Sequence, residues 1–338
     1  MQLADPSAIR GILCSRDGSK CHPVVVSLPK AVRRQERVVE VVSLTCSNVT
    51  DHRNLVDAPS LGGIDHGTLS SVRVVNVLST SYAGSTWLNL LLGAHSRMLS
   101  ICEIDHMVKT GEAKCRLHGE ACPLWSRFDM HADENPYVQI ARLSGHRDLV
   151  VNNVRRLRVE QETAGIDRKF IFLFRDPRAI VASSLRKYPH QSTWRATMHW
   201  RRAISKRERF IRKQPADAVM HVHYESLNQN IEAGLQRICA FLDLPFEPAM
   251  LEFWKADHHP IGGNVGPLLA VADHQKLNLD VPSRHRGRTV RQVDWSHYQK
   301  SDPASFRDER WRQELSPAQQ RLIGLMTARI SRRYRAEA

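Results

Sequence analysis

The sequence lacks long hydrophobic runs, internal repeats and a dense set of cysteines. Its 338 residues contain no stretch of about 18 apolar residues, so no membrane-spanning helix is predicted. No period recurs, which excludes repeat, collagen and coiled-coil proteins. The first residues carry an acid, Asp5, where a signal peptide has basic residues. The seven cysteines are few and odd in number, so we expect reduced thiols and a cytoplasmic protein.

Basic residues are in excess: 49 lysines and arginines against 35 acids give a net charge of +14. Such a charge favours an anionic partner, which could be nucleic acid, a membrane surface or a phosphorylated or sulfated small molecule. No nucleic-acid-binding motif is present, so nucleic acid is not favoured. The basic run at 201–213 has two interpretations, a solvated helix face or a funnel for an anionic substrate, and base rates favour the solvated face.

The N-terminal part is the least informative. Two β-branched runs, at 23–28 and 37–44, predict short strands, and the Gly- and Asp-containing segment 57–68 is typical of a linker. We therefore expect an N-terminal extension of uncertain structure over residues 1–70 and one larger domain over residues 71–338.

From residue 71 onward, strand and helix signals alternate. Short apolar runs predict buried strands at 72–78, 148–151, 170–174 and 219–224. Helices are predicted at 87–93, 231–242 and 316–334, with a capped helix start at Asp176-Pro177 and a loop-rich stretch over 255–300. The alternation predicts an α/β fold, a doubly wound and mainly parallel sheet flanked by helices on both faces.

The segment that joins the first of these strands to its helix predicts an anion site. Gly84 permits a tight turn, the amides of residues 84–87 would point out of the helix N-terminus, and Ser85 and Thr86 add hydroxyl groups. An ordinary capped strand–helix turn is the alternative. A magnesium–ATP site is disfavoured, because Ser85 stands where the Walker pattern needs lysine.

Two segments resemble the sulfotransferases that use 3′-phosphoadenosine 5′-phosphosulfate (PAPS), particularly bacterial members and the carbohydrate and tyrosylprotein sulfotransferases. The run 83–95 (AGSTWLNLLLGAH) is similar to their phosphosulfate-binding loop, and 172–184 (FLFRDPRAIVASS) is similar to their second signature. The resemblance implies a P-loop-like fold and a donor site, formed by Ala83, Gly84, Ser85, Thr86, Trp87, Arg175 and Ser183. Trp87 has two interpretations, since a residue in the first turn of a helix can contact adenine or belong to the core.

The resemblance also implies the reaction, transfer of a sulfuryl group from PAPS to a hydroxyl of a small-molecule or carbohydrate acceptor without a metal. Glu103, 19 residues after Gly84, is the candidate general base, because related enzymes place a glutamate there; the alternative is an exposed loop acid. His106 is the second candidate, since the ordinary pKa of histidine suits proton transfer at neutral pH.

One position departs from the family pattern. Tyr82 stands two residues before Gly84, where most members carry a lysine or arginine that neutralises the leaving group. Arg155 and Arg178 are the candidates to supply this charge. Two further hypotheses remain open, a phosphotransferase on the related P-loop scaffold and a catalytically weakened nucleotide-binding or basic scaffold protein of the same fold.

Three potential metal ligands lie close together in the sequence: Cys115, His118 and Cys122. No fourth ligand is evident and their spacing matches no standard zinc site. The sequence therefore favours a pair of loop cysteines, and no metal is predicted.

Overall fold

A computed structural model of the chain describes residues 71–104, 107, 111–153, 165–279 and 306–335, and the backbone of four short strands outside these ranges or at their edges. The chain divides into two compact units, Met1–Leu61 and Gly62–Ala338.

In the first unit, strands β1 (Ala8–Cys14) and β2 (Cys21–Ser27) form an antiparallel pair. Strand β2 overlaps the predicted strand at 23–28. The predicted strand at 37–44 and the linker at 57–68 lie outside the described residues. The division into an extension and a sulfotransferase-like domain stays a prediction.

The second unit contains a five-stranded sheet in the order β4–β5–β3–β6–β7, and every neighbouring pair is parallel. Its strands are β3 (Val72–Leu78), β4 (Met98–Cys102), β5 (Asp148–Asn153), β6 (Ile166–Phe174) and β7 (Val219–His223). A separate antiparallel pair consists of β8 (Arg284–His285) and β9 (Arg288–Thr289). The parallel sheet confirms the predicted fold class, and the four predicted strands of this unit lie in it; Tyr224, however, begins a helix rather than ending β7.

Nine α-helices are described. They are α1 (Ser85–Gly93), α2 (Pro136–Ser144), α3 (Pro177–Lys187), α4 (Thr193–Ile211), α5 (Tyr224–Gln229), α6 (Ile231–Phe241), α7 (Val265–Gln275), α8 (Trp311–Glu314) and α9 (Pro317–Arg335). Short 3₁₀ segments occur at Trp125–Arg127, Ala216–Ala218 and Pro248–Lys255. Helix α7 corrects the prediction that 255–300 is loop: its apolar run VGPLLAVA packs into the core. None of the described helices combines the length and apolar composition needed to cross a bilayer.

The alternating direction of the side chains along β6 explains how both faces of the sheet are covered. Ile171 and Leu173 join a core cluster with α1, α2, α6 and α7, whereas Phe170, Phe172 and Phe174 join a second cluster with α3, α4 and α9. Successive strand side chains point to opposite faces, so one apolar strand supplies both cores. The sheet is therefore doubly wound, as predicted.

The basic run at 201–213 lies on α4 and divides between surface and interior. Arg202, Lys206 and Arg209 are exposed. Glu208 is buried instead, where it pairs with Arg333 at 2.6 Å and accepts a hydrogen bond from the Tyr334 hydroxyl at 2.9 Å. The outer side of α4 is thus exposed, which fits both a solvated face and a funnel, while its inner side anchors α9.

Candidate active site

The loop between β3 and α1 has a backbone shape that few residues adopt. Tyr82 has φ 68° and Gly84 has φ 92°, both in the left-handed region. A Cβ atom at Gly84 would lie 2.3 Å from Cε2 of Tyr224, so the ring of Tyr224 also excludes any side chain there. Holding Tyr82 in this conformation costs about 1–3 kcal/mol, a strain that clusters at functional sites.

The N-terminus of α1 is the predicted anion site, and no side chain caps its amides. Gly84 is its N-cap residue, and its first turn has no acid. Ser85 and Thr86 are buried in that turn. The Thr86 hydroxyl accepts a hydrogen bond from the backbone N–H of Asn264 at 2.9 Å. Unpaired amides and the helix dipole favour negative charge at such an end.

Arg175 connects the two segments that carry the family resemblance. It follows β6, is 6 % exposed, and donates from Nη1 to the Tyr82 carbonyl at 2.9 Å. Its Nη2 donates to the Asp308 carbonyl at 3.0 Å, and the guanidinium lies 4.3 Å from the centroid of the Tyr224 ring. Because β3 and β6 are neighbours whose helices α1 and α3 cover opposite faces, this contact lies at the switch point where open α/β sheets bind ligands.

Tyr224 is a residue that the sequence analysis did not select. Its buried ring contacts Gly84 and Arg175, and its hydroxyl donates to the Phe306 carbonyl. Burial raises the pKa of this phenol, so it remains a neutral hydrogen-bond donor. The signal that could have indicated it is its place directly after β7, at the same edge of the sheet.

Two cavities border this edge of the sheet. The smaller, about 80 Å³, is lined by Arg175, Tyr224 and Asp308 among others. The larger, about 460 Å³, lies between Phe174, His223 and α9. Arg175 lines the smaller cavity, and Arg178, a candidate for the leaving-group charge, lines the larger one.

Glu103 lies directly beyond β4, at the carboxyl end of the sheet. Cys102 before it has φ 58°, a second left-handed non-glycine residue at this edge. The segment 261–264 packs against it: the N–H of Ile261 donates to the Ile101 carbonyl at 3.1 Å, and a Cβ at Gly262 would lie 2.7 Å from Cβ of Glu103. The same segment reaches Thr86 through Asn264, so the predicted base and the predicted anion loop share one neighbour.

A buried amide fixes the end of β4 relative to α1. The Asn89 side chain in α1 accepts hydrogen bonds from the Ser100 hydroxyl and from the N–H of Cys102, the latter at 3.3 Å. Its Nδ2 donates to Oδ1 of Asn152 in β5 at 2.9 Å. One helix therefore carries both the anion loop at its start and the anchor of the Glu103 segment one turn later.

The remaining predicted residues are placed as follows. Trp87 is 1 % exposed and packs edge-on against Tyr224 at 5.6 Å, so the structure places it in the core, the alternative interpretation. Ser183 lies in α3 and is partly exposed. His106 and Arg155 lie outside the described residues. Ala83 is buried in the second core cluster.

Arg178, one of the two candidates for the charge that Tyr82 lacks, pairs with a neighbouring acid. That guanidinium binds Asp176, with Nε 3.0 Å from Oδ1, and lies 4.2 Å from the centroid of the Trp311 ring. Asp176 also caps α3 by accepting from the N–H of Arg178, as Asp176-Pro177 predicted. Lys187 in the last turn of α3 has its ammonium 6.0 Å from the centroid of the Tyr82 ring. Lys187 lies four residues after Ser183, a spacing that puts both on one helix face.

Comparison with known proteins supports the family. Residues 167–248 match the model of a sulfotransferase family, and this segment runs from β6 with Arg175 to the end of α6 and just beyond. The match covers 82 of the 338 residues, about a quarter of the chain, and it supports the predicted sulfotransferase class. No curated protein matches the sequence.

Solved structures give a more distant likeness. The sulfotransferase domain from the curacin biosynthetic pathway is 19% identical, with 77% of this chain and 98% of that one covered and a TM-score of 0.49. The sulfotransferase domain from the Synechococcus PCC 7002 olefin synthase is also 19% identical, with 78% of this chain and 96% of that one covered and a TM-score of 0.45. Mouse sulfotransferase SULT7A1 complexed with PAP is 13% identical, with 80% of this chain and 90% of that one covered and a TM-score of 0.42. At these TM-scores, the likeness carries no residue role or ligand over to this chain.

Proposed function

We propose that the protein transfers a sulfuryl group from PAPS to a hydroxyl of a small-molecule or carbohydrate acceptor. The observation that carries the proposal is the contact between its two signature segments. Arg175 donates to the carbonyl of Tyr82, inside the loop that opens α1. Residues 93 positions apart in the chain thus form one polar site at the carboxyl edge of the sheet.

The donor is bound by complementary charge. The uncapped N-terminus of α1, with Ser85 and Thr86, receives the 5′-phosphosulfate, because its amides point at an anion. Arg175, with Ser183 in α3, receives the 3′-phosphate, for which a planar guanidinium is suited. The burial of Trp87 supports a role in shaping the loop rather than stacking on adenine.

Glu103 is the general base. The acceptor oxygen attacks sulfur as its proton passes to the Glu103 carboxylate, and the bond from sulfur to the bridging oxygen breaks. The electron pair leaves on the 5′-phosphate, so the products are a sulfated acceptor and adenosine 3′,5′-bisphosphate. The shared contact of Glu103 and Thr86 with segment 261–264 supports this role, since it brings the base beside the donor loop.

Lys187 supplies the positive charge that Tyr82 lacks. Its ammonium lies near the Tyr82 ring, and it shares a helix face with Ser183. Arg178 is held by Asp176 and Trp311, which supports assigning the charge to Lys187 instead. The resemblance implies transfer without a catalytic metal ion.

Ligand-induced thermal shift tests the donor site. The melting temperature of the protein is compared with adenosine 3′,5′-bisphosphate, AMP and ATP, because a ligand of the native state stabilises it by mass action. We expect a rise with the bisphosphate alone. An equal rise with ATP would favour a phosphotransferase, and no rise would favour a scaffold that has lost its donor.

Calorimetry of an Arg175→Ala variant sharpens the result. The loss of hydrogen bonds to a charged group should weaken bisphosphate binding by about 1.5–3 kcal/mol. The matched control is Arg209→Ala, at an exposed position of α4. Equal affinity in the two variants would remove Arg175 from the donor site.

A further inference from the structure

Four metal-ligating side chains meet at one place in the second unit. They are Cys115, His118 and Cys122 from one loop and His259 from a distant segment, and their ligand atoms all lie within 4.8 Å of one another. Cys122 and His259 are 137 residues apart in the chain. The fold therefore supplies the fourth ligand that the sequence analysis could not find, and the prediction of a simple cysteine pair loses its premise.

We propose that Cys115, His118, Cys122 and His259 form a structural zinc site. Two thiolates and two imidazole nitrogens are a ligand set that Zn²⁺ prefers, and four protein ligands leave no open position for catalysis. The two cysteines are buried, and the side chains of His118 and His259 are only 18% and 12% exposed, so the ion would be largely shielded from water.

The separations between ligand atoms fit a tetrahedral ion. With Zn–S of about 2.3 Å and Zn–N of about 2.0–2.1 Å, a tetrahedral angle places sulfur and nitrogen about 3.6 Å apart. Sγ of Cys122 lies 3.4 Å from Nδ1 of His259, and Sγ of Cys115 lies 3.6 Å from Nδ1 of His118. Both histidines thus present the same nitrogen to the sulfurs.

The surroundings hold these ligands in a metal-binding orientation. The Asp257 carboxylate lies 3.5 Å from Nε2 of His118 and 3.5 Å from Nε2 of His259, on the side of each ring away from the sulfurs. A carboxylate behind a metal-bound histidine fixes its tautomer and raises its basicity. The N–H of His118 also donates to Sγ of Cys115 at 3.5 Å.

The ion would fix the segment that contacts the candidate base. Trp125 donates from Nε1 to the His259 carbonyl at 2.8 Å, and the N–H of Arg116 donates to the Pro260 carbonyl at 2.7 Å. From there the chain continues to Gly262 against Glu103. This positioning role rests on the proposed function; metal binding itself does not.

Metal content is the primary test. Inductively coupled plasma mass spectrometry of the full chain, purified without chelator, should find one zinc per chain. Cys122→Ser and His259→Ala should lose it, whereas Cys239→Ser, at a buried cysteine outside the cluster, should keep it. Absence of zinc from the wild type, or a Cys115–Cys122 disulfide in its unreduced peptide map, would overturn the proposal.

Two further measurements keep the test decisive if a cysteine variant fails to fold. Replacement of the wild-type metal with Co²⁺ should give the visible bands of a tetrahedral site and a thiolate-to-cobalt charge-transfer band; a six-coordinate spectrum would contradict a cysteine–histidine site. Asp257→Asn, at a carboxylate that is mostly exposed, should weaken zinc affinity about 10- to 100-fold, while the control Asp273→Asn should not. The thermal shift with adenosine 3′,5′-bisphosphate is measured on the same samples. A protein that contains zinc but shows no shift would contradict the donor site alone, and a protein that shows the shift but lacks zinc would contradict the metal site alone.

Discussion

The donor loop and the cysteine–histidine cluster join distant parts of the chain by different chemistry. At the donor loop, a guanidinium donates to two backbone carbonyls, those of Tyr82 and Asp308. At the cluster, four side chains from residues 115–122 and from His259 bring their ligand atoms within 4.8 Å of one another. The first contact fixes a loop and leaves its amides for a ligand. The second is complete only with an ion at its centre.

Helix α1 lies between these two regions and couples them. Thr86 contacts the segment that leads back to His259, and Asn89 anchors the end of β4 before Glu103. If α1 couples the two regions in this way, a substitution at Glu103 should lower turnover without changing donor binding, and one at Gly84 should weaken donor binding. A substitution at Asn89 should lower both turnover and donor binding.

The largest effect is expected from Glu103→Gln, on the cluster side of α1. Removal of the general base should lower turnover about 10²- to 10⁴-fold, while bisphosphate affinity stays unchanged because the donor site is intact. Steady-state kinetics and calorimetry measure the two quantities. Glu232→Gln, at an exposed glutamate in α6, is the control. Near-normal turnover would assign the base to another residue, with His106 the next to test.

The next effect is expected from Gly84→Ala, on the donor side. A left-handed alanine costs about 1–2 kcal/mol, and the overlap with Tyr224 adds about 1–3 kcal/mol, so stability should fall and bisphosphate binding with it. Gly324→Ala is the matched control, since no atom lies within 4 Å of its added Cβ and the position is helical. It should stabilise by about 0.4–1 kcal/mol. Equal denaturation midpoints for the two variants would contradict the close contact of Gly84.

These two regions also show how far the sequence alone reaches. Strands β3, β5, β6 and β7 could be predicted at least in part, because buried parallel strands are short apolar runs, and Phe170–Phe174 is apolar at every position. Strand β4 was not predicted. The first two residues of α1 and the first four of β6 were missed, since Ser85, Thr86 and Ile166–Lys169 carry mixed polarity. Helix α7 was missed because Gly262, Gly263 and Pro267 gave its surroundings the composition of a loop.

The site divides in the same way. Arg175 was predicted from the resemblance of 172–184 to a sulfotransferase signature, and it lies directly after β6. Tyr224 and His259 were not, since each acts through a tertiary contact that no local spacing encodes. A lone histidine 137 residues from its partner cysteine has no sequence signal. Backbone and side-chain hydrogen bonds to residues 259–261, from Trp125 and Arg116 and to Ile101, bring it near.

Asn89→Ala should weaken both regions moderately. The substitution leaves the Ser100 hydroxyl, the Cys102 N–H and the Asn152 amide without their buried partner, which should cost about 1–3 kcal/mol of stability. Denaturant unfolding measures this loss. Because α1 carries both contacts, turnover and bisphosphate affinity should fall together. A loss of turnover alone would mean that the donor loop does not depend on the anchor of β4.

The smallest effect is expected from Lys187→Met, which keeps the aliphatic stem and removes the charge. If Lys187 neutralises the leaving group, turnover should fall about tenfold, equal to about 1.4 kcal/mol of transition-state stabilisation. The turnover of the variant should also depend less steeply on added salt than that of the wild type, because one charge interaction that salt screens has been removed. Lys206→Met, exposed on α4, controls for the change in net charge. The Tyr82→Lys change in the Lys187→Met background should restore turnover, because it returns the cation to the loop position that the family uses. Failure of that rescue, with unchanged donor affinity, would show that the strained Tyr82 backbone and Arg175 suffice for the leaving group and that Lys187 only packs against the ring.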